Sequence, residues 1–163
     1  MGGDKTITLY QWILNEFTVK GRADSVNQIG PELAALIGPG DSVLDLCCGA
    51  GPFAFYLEEQ GAKVTGIDFA PYMIDLAQKE AAKRNSRVDF VLGDVLTHDL
   101  GVEQFDLVVF LGNTVQDFSP EGFLHVVRKV AQALKPGGRF TVHYVDRFYD
   151  LLARENPPRE GVQ

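Results

Sequence analysis

The chain reads as a doubly wound α/β fold, a parallel sheet of five strands in the order 3-2-1-4-5 with helices packed on it. Three observations predict this. Short apolar runs alternate with helix-length segments along the sequence, the pattern of strands joined by crossover helices. The first run, Val43-Leu44-Asp45-Leu46, leads into the glycine-rich turn Cys47-Cys48-Gly49-Ala50-Gly51, where the glycines let backbone amides approach a ligand that any Cβ would hold off. The second run, Ala62 to Phe69, ends in an acid, Asp68, at the place where a carboxylate can accept both hydroxyls of a ribose diol.

In chain order, Leu9 to Lys20 and Asp24 to Ile37 are predicted helices ahead of the sheet. The first strand is predicted over Ser42 to Cys47, and a helix follows the glycine turn over Pro52 to Gln60. Lys63 to Asp68 is the second strand, Pro71 to Arg84 the next helix, Val88 to Leu92 the third strand and Asp106 to Leu111 the fourth. The helix Pro120 to Leu134 carries the fullest signals: Ser119 as N-cap, Pro120 at the first position, Glu121 near the positive dipole end, and Lys135-Pro136-Gly137-Gly138 as its stop. Gly138 to Val145 is the fifth strand. Right-handed crossovers give the strand order stated above and put a ligand site at the carboxyl ends of strands 1 and 4, where the order reverses. Asn156 to Gln163, with two prolines and a glycine, reads as a tail. The expected organisation is one domain over 1–163: amino-terminal helices in 1–38, an α/β core in 39–155 and the tail in 156–163.

Composition bounds the function. With 163 residues, 45% hydrophobic and 23% charged, the chain can bury one sizeable core. A net charge of −7 opposes a polyanion partner, so nucleic acid is not expected. Nothing approaches the length of a membrane span and the first ten residues lack a signal-peptide pattern, so a cytoplasmic location is expected and a membrane partner is not. Cys47 and Cys48 are adjacent, which in a strand sends their side chains to opposite faces and disfavours a mutual disulfide. His98, His125 and His143 are scattered without metal-ligand spacing, so no metal is expected.

Gly49, Gly51 and Ala54 fit G-x-G-x-x-A, which permits a dinucleotide. Asp45, four residues before Gly49, tilts the choice: a carboxylate there repels a diphosphate and suits a ligand bearing an ammonium and a sulfonium, as S-adenosylmethionine does. At this point the chain resembles the class I S-adenosylmethionine-dependent methyltransferases, whose first motif is a hydrophobic strand followed by D/E-x-G-x-G-x-G. Cys47 stands where that motif has its first glycine, a mild departure if the Cys47 backbone is extended. The resemblance continues through Val64 to Ala77, Gly93-Asp94-Val95, Phe105 to Phe118 and Leu134 to Phe140. It implies a Rossmann-like methyltransferase fold and a cofactor site of Asp45, Cys47, Gly49, Gly51, Asp68, Phe69, Met73, Asp94, Val95 and Leu111. Within it Asp68 would hold the ribose, Asp94 and the Val95 amide would read the adenine edge, and Phe69 and Met73 would flank the ring. Because Asp68 lies at a strand tip facing a cleft, it is expected to support no core.

Leu111-Gly112-Asn113-Thr114 and Arg147-Phe148-Tyr149-Asp150 are similar to the glycine and sarcosine N-methyltransferase branch. By that resemblance Asn113 and Arg147 position a small amine or amino acid, Arg147 gripping its carboxylate with a bidentate fork. The implied reaction is in-line displacement at the sulfonium methyl by a small-molecule acceptor, leaving S-adenosylhomocysteine. The alternatives are a protein that binds the cofactor without turnover and, disfavoured by Asp45, a nicotinamide-dependent oxidoreductase. Members of the family close the sheet with strands 6 and 7, which this sequence is expected to lack. The edge of the fifth strand would then be covered by further chain or by a second copy in a homodimer.

Overall fold

The computed structural model describes residues 21–144. The expected helix Leu9 to Lys20, Arg147 and the tail lie outside these residues. The elements are α1 (Gly21–Ala34), β1 (Ser42–Leu46), α2 (Pro52–Glu59), β2 (Lys63–Asp68), α3 (Pro71–Arg84), β3 (Asp89–Leu92), β4 (Phe105–Phe110), a 3-10 turn (Thr114–Asp117), α4 (Pro120–Ala133) and β5 (Leu134–Val142). All five strands pair in parallel in the order β3-β2-β1-β4-β5, as the sequence predicts.

The runs that read as apolar throughout do so because both faces of the sheet are covered. Val43, Leu107 and Val109 pack with Leu33 of α1, Phe53 and Leu57 of α2, and Ile74 and Ala77 of α3. Their neighbours Leu44, Val108 and Phe110 point the other way, into a second cluster with Val126, Val130 and Ala133 of α4. The start of α4 is built as its residues indicate: the Ser119 hydroxyl accepts the Gly122 amide at 3.1 Å, with Pro120 opening the helix. At the end of α3, Asn85 takes a left-handed φ of 53° and its N–H donates to the Ala81 carbonyl.

Two elements depart from expectation. α1 spans Gly21–Ala34 rather than Asp24 to Ile37 and runs through Pro31, with Gly30 seated so closely on the Tyr56 ring that a Cβ there would lie 2.8 Å from Cζ. β5 begins at Leu134, inside the segment that reads as a helix stop. Leu134 pairs with Phe105 and Arg139 with Leu107, so residues 135–138 bulge out of a ladder that continues on either side. Gly137 has φ 81°, and a Cβ on Gly138 would meet the Lys135 and Phe105 carbonyl oxygens at 2.9 and 3.1 Å. The bulge is tied down where Asp106 accepts both the Lys135 ammonium at 2.7 Å and the Ser42 amide at 2.8 Å. Among the described residues β5 has one strand neighbour, β4.

Candidate functional site

The carboxyl ends of β1 and β2 are joined through Asp68. One of its oxygens accepts the Gly49 amide at 2.8 Å and the other the Ala70 amide at 2.9 Å, and the side chain is 7% exposed. The expectation that Asp68 supports no core needs correction: this carboxylate fastens the glycine turn to the approach of α3. It still has acceptor capacity, because two carboxylate oxygens offer about four lone-pair sites and two are used. The turn itself is closed by the Gly51 amide on the Cys48 carbonyl at 3.0 Å, and the Cys48 amide extends the β1–β2 ladder to the Ile67 carbonyl.

Gly49 and Gly51, alike in the motif, differ in role. Gly49 has φ 57° and faces open space, so its backbone is accessible to a ligand. Gly51 has φ 81°, and a Cβ there would fall 2.5 Å from Phe90 Cζ and 3.3 Å from Phe55. It lets Phe90 of β3 pack beneath the turn, edge-on to Phe55 at 5.4 Å between centroids. Gly66 yields to the same ring and to the buried Cys48 sulfur, 2.9 Å from where its Cβ would stand. Phe90 is thus a supporting residue that no motif marks.

Cys47 does not extend β1. Its φ is 56°, left-handed, a backbone that suits the glycine it replaces in the motif and strains a residue with a side chain. The side chain packs towards the α4 side of the sheet. Burial first, then the negative charges of Asp68, Asp45, Asp94 and Asp117, push the Cys47 thiol far above its ordinary range. Burial with Asp45 and Asp68 does the same to Cys48. Both thiols stay neutral. Asp45 is 2% exposed at the centre of the sheet, level with Gly66 of β2 and Val109 of β4. The negative charge felt by Cys47 thus comes from residues on or after β1, β2, β3 and β4, and Asp117, on the turn after β4, is one that motif reading missed.

Asp94 begins the loop after β3 and folds it: its side chain accepts the Leu96 amide at 2.9 Å, and its carbonyl accepts the Thr97 and His98 amides. The side chain remains exposed, while Val95 is buried. On the far side of this loop Lys129 of α4 donates to the Val95 and His98 carbonyls, both at 2.7 Å. Burial lowers the Lys129 ammonium from its ordinary value, opposed by Asp94 and Asp99.

At the tip of β4, Leu111 is buried in the core on the α2 side and its carbonyl accepts the Thr114 hydroxyl at 3.0 Å. Gly112 and Asn113 both have positive φ, 75° and 66°. Asparagine tolerates that conformation better than most side chains, which accounts for Gly-Asn here on backbone grounds. Phe69 is 64% exposed at the rim beyond Asp68, whereas Met73 is 7% exposed on α3. Ten of the expected cofactor positions thus lie on or beside the carboxyl ends of β1 to β4; Asn113 lies there too, and Arg147 is outside the described residues. A cavity of about 850 Å³ lies at the opposite, amino-terminal end of the sheet, lined by Ser42, Lys63, Arg84 and Phe105 among others, and none of the expected site residues borders it. Among the described residues no group of three His, Cys, Asp or Glu side chains could hold a metal ion, and no helix is long and apolar enough to cross a membrane.

Residues 43–138 match the family model described as a methyltransferase domain. The chain is 38% identical over 106 residues to a demethylmenaquinone methyltransferase of Lactococcus lactis subsp. lactis (strain IL1403), covering 61% of this chain and 40% of that protein. It is 27% identical over 144 residues to a carboxy-S-adenosyl-L-methionine synthase of Enterobacter sp. (strain 638), covering 85% of this chain and 57% of the relative. Among solved structures, the PH0226 protein from Pyrococcus horikoshii OT3 superposes with a TM-score of 0.77 at 32% identity, covering 86% of this chain and 61% of that one. The chain therefore spans about half the length of the curated relatives it matches. With the glycine turn, the acid at the tip of β2 and the strand order all in place, the chain belongs to the methyltransferase domain family, whose methyl donor is S-adenosylmethionine.

Proposed function

We propose that the chain binds S-adenosylmethionine at the carboxyl ends of β1 to β4 and serves methyl transfer to a small-molecule acceptor. The observation that carries this reading is the left-handed glycine turn that the Asp68 carboxylate fastens at the end of β1, with the buried Asp45 carboxylate just before it. At about 5 Å and an effective dielectric near 20, one carboxylate and one unit charge interact by roughly 3 kcal/mol, attractive for a sulfonium or ammonium and repulsive for a phosphate. The same turn without the acids would suit a dinucleotide; with them it suits a doubly cationic methionyl group. The uncapped amino end of α2, opened by Gly51, supplies a positive dipole for the ligand's one carboxylate.

In this reading Asp68 holds the ribose diol with the lone pairs left after it binds Gly49 and Ala70. Asp94 and Val95 face the adenine edge, Phe69 and Met73 its faces, and Leu111 closes the floor. The cofactor supplies an electrophilic methyl on sulfur. What the protein supplies is alignment, worth on the order of 7 to 11 kcal/mol of barrier when reacting atoms are held in line. The acceptor side is supported by Asn113, and by Arg147 through resemblance alone. A small amine follows from those two residues, whereas one relative is named for demethylmenaquinone.

Transfer of labelled methyl from S-adenosylmethionine to a panel of amino acids, small amines, phenols and quinols tests the proposal. Product in any arm with turnover above the boiled control is the expected result. Binding of S-adenosylhomocysteine without transfer to any of them would instead support the binding-only reading.

A further inference from the structure

The loop after β3 is gripped from behind by side chains of α4. Lys129 donates to the Val95 and His98 carbonyls at 2.7 Å each, and His125 Nε2 lies 3.0 Å from the Leu96 carbonyl. Three carbonyls within four residues therefore turn toward one helix. The opposite side of the loop is fixed by the same device. The Asp94 carbonyl is held by the Thr97 and His98 amides, and in a trans peptide the following N–H, that of Val95, points the other way, out of the turn. Asp94 spends one carboxylate oxygen on the Leu96 amide, leaving its second oxygen on the exposed side. Donor and acceptor thus stand side by side on a rim whose height is set from α4. The loop cannot retreat on its other flank, because Gly93 packs so tightly that a Cβ there would lie 2.8 Å from His98 Nδ1 and 3.0 Å from Ile67.

We propose that Lys129, assisted by His125, is a positioning residue that sets this donor-acceptor rim and thereby selects a 6-amino purine over a 6-oxo purine. The proposal rests on the S-adenosylmethionine reading above. The 6-amino purine offers an amino donor beside a ring-nitrogen acceptor, matching Asp94 and the Val95 amide. The 6-oxo purine reverses both, setting its carbonyl against the carboxylate and its ring N–H against the amide, so discrimination depends on how firmly the rim is held. Two charge-assisted bonds from one ammonium tie this loop to α4.

The test compares binding of S-adenosylhomocysteine and its inosine analogue by the 163-residue chain and by Lys129→Met, Lys129→Arg and His125→Ala, with hydrogen exchange of the 93–100 segment read in parallel. In Lys129→Met, affinity for S-adenosylhomocysteine should fall about tenfold, near the value of one charged hydrogen bond, while that for the inosine analogue changes less than about twofold. Lys129→Arg should restore most of the preference, His125→Ala should show a smaller loss in the same sense, and 93–100 should exchange faster in Lys129→Met. Equal weakening of both ligands would reduce Lys129 to general support and overturn the proposal, as would unchanged preference or unchanged exchange. If the unmodified chain binds neither ligand, the cofactor reading fails and selectivity falls with it, while the exchange arm still decides whether α4 holds the loop. Should Lys129→Met not fold, His125→Ala and Lys129→Arg carry the same comparison.

Discussion

Replacing Asp68 by asparagine separates the fastening role seen in the structure from the ribose-binding role proposed for the same side chain. The carboxylate accepts the Gly49 and Ala70 amides at 2.8 and 2.9 Å from a position 7% exposed. An asparagine has one acceptor oxygen and can keep one of these bonds; its amide nitrogen would face the other N–H, leaving a buried donor unsatisfied at a cost of about 1 to 3 kcal/mol. For a chain of this size that corresponds to a fall in Tm of roughly 2 to 12 °C in the absence of any ligand. Loss of the charged hydrogen bonds to the ribose should separately weaken S-adenosylmethionine by about 1.5 to 3 kcal/mol, roughly 10- to 100-fold. Thermal unfolding of the ligand-free protein reads the first effect and calorimetric titration the second. A lower Tm with unchanged affinity would leave Asp68 as a loop fastener and remove it from the ribose site; an unchanged Tm would refute the fastening role.

Gly51→Ala should destabilise by about 2 to 4 kcal/mol, combining a left-handed backbone with a Cβ driven into Phe90, and Phe90→Leu in the same chain should recover part of that loss in denaturant titration. Asp106 is held below the usual carboxylate range, first by the Lys135 ammonium and then by the Ser42 amide. A depressed folded value means stability present above the unfolded value, near 3.9, and lost as pH falls through the folded one; Asp106→Asn should flatten that acid limb and lower neutral-pH stability by about 1 kcal/mol. The raised thiols act in the opposite direction. Above about pH 8.5 the unfolded chain ionises Cys47 and Cys48 while the folded chain does not, so stability should decline with rising pH, and Cys47→Ala with Cys48→Ala should remove that decline.

The sheet was legible because its strands are local patterns: β1 to β4 begin and end within one residue of the predicted bounds, and Ser119 with Pro120 marks the start of α4. β5 was misjudged at its start because Pro136 and Gly137 are breakers by local rules, whereas pairing of Leu134 with Phe105 is settled across the sheet. The same distinction divides the site. Asp45, Gly49 and Asp68 announce themselves by spacing, since the motif residues lie at consecutive strand ends. Phe90, Asp117 and Lys129 do not: an aromatic under a glycine, an acid on a short turn and a lysine on a helix acquire their roles only through neighbours remote in sequence, as Lys129 does with Val95, 34 residues away. Cys47 departs from the extended backbone expected of it, because its left-handed φ follows from the sharp exit off β1 rather than from its own preference.

The most direct test of the acid-lined turn is a paired calorimetric titration with S-adenosylmethionine and NAD, on the unmodified chain and on Asp45→Asn. Asp45→Asn keeps the size of a side chain that is 2% exposed and removes its charge. One-to-one binding of S-adenosylmethionine, weakened by the substitution, with NAD undetectable in both proteins, is the expected result. Comparable binding of NAD by the unmodified chain, or methyl-donor affinity untouched by loss of the Asp45 charge, would contradict the electrostatic basis on which the cofactor was assigned.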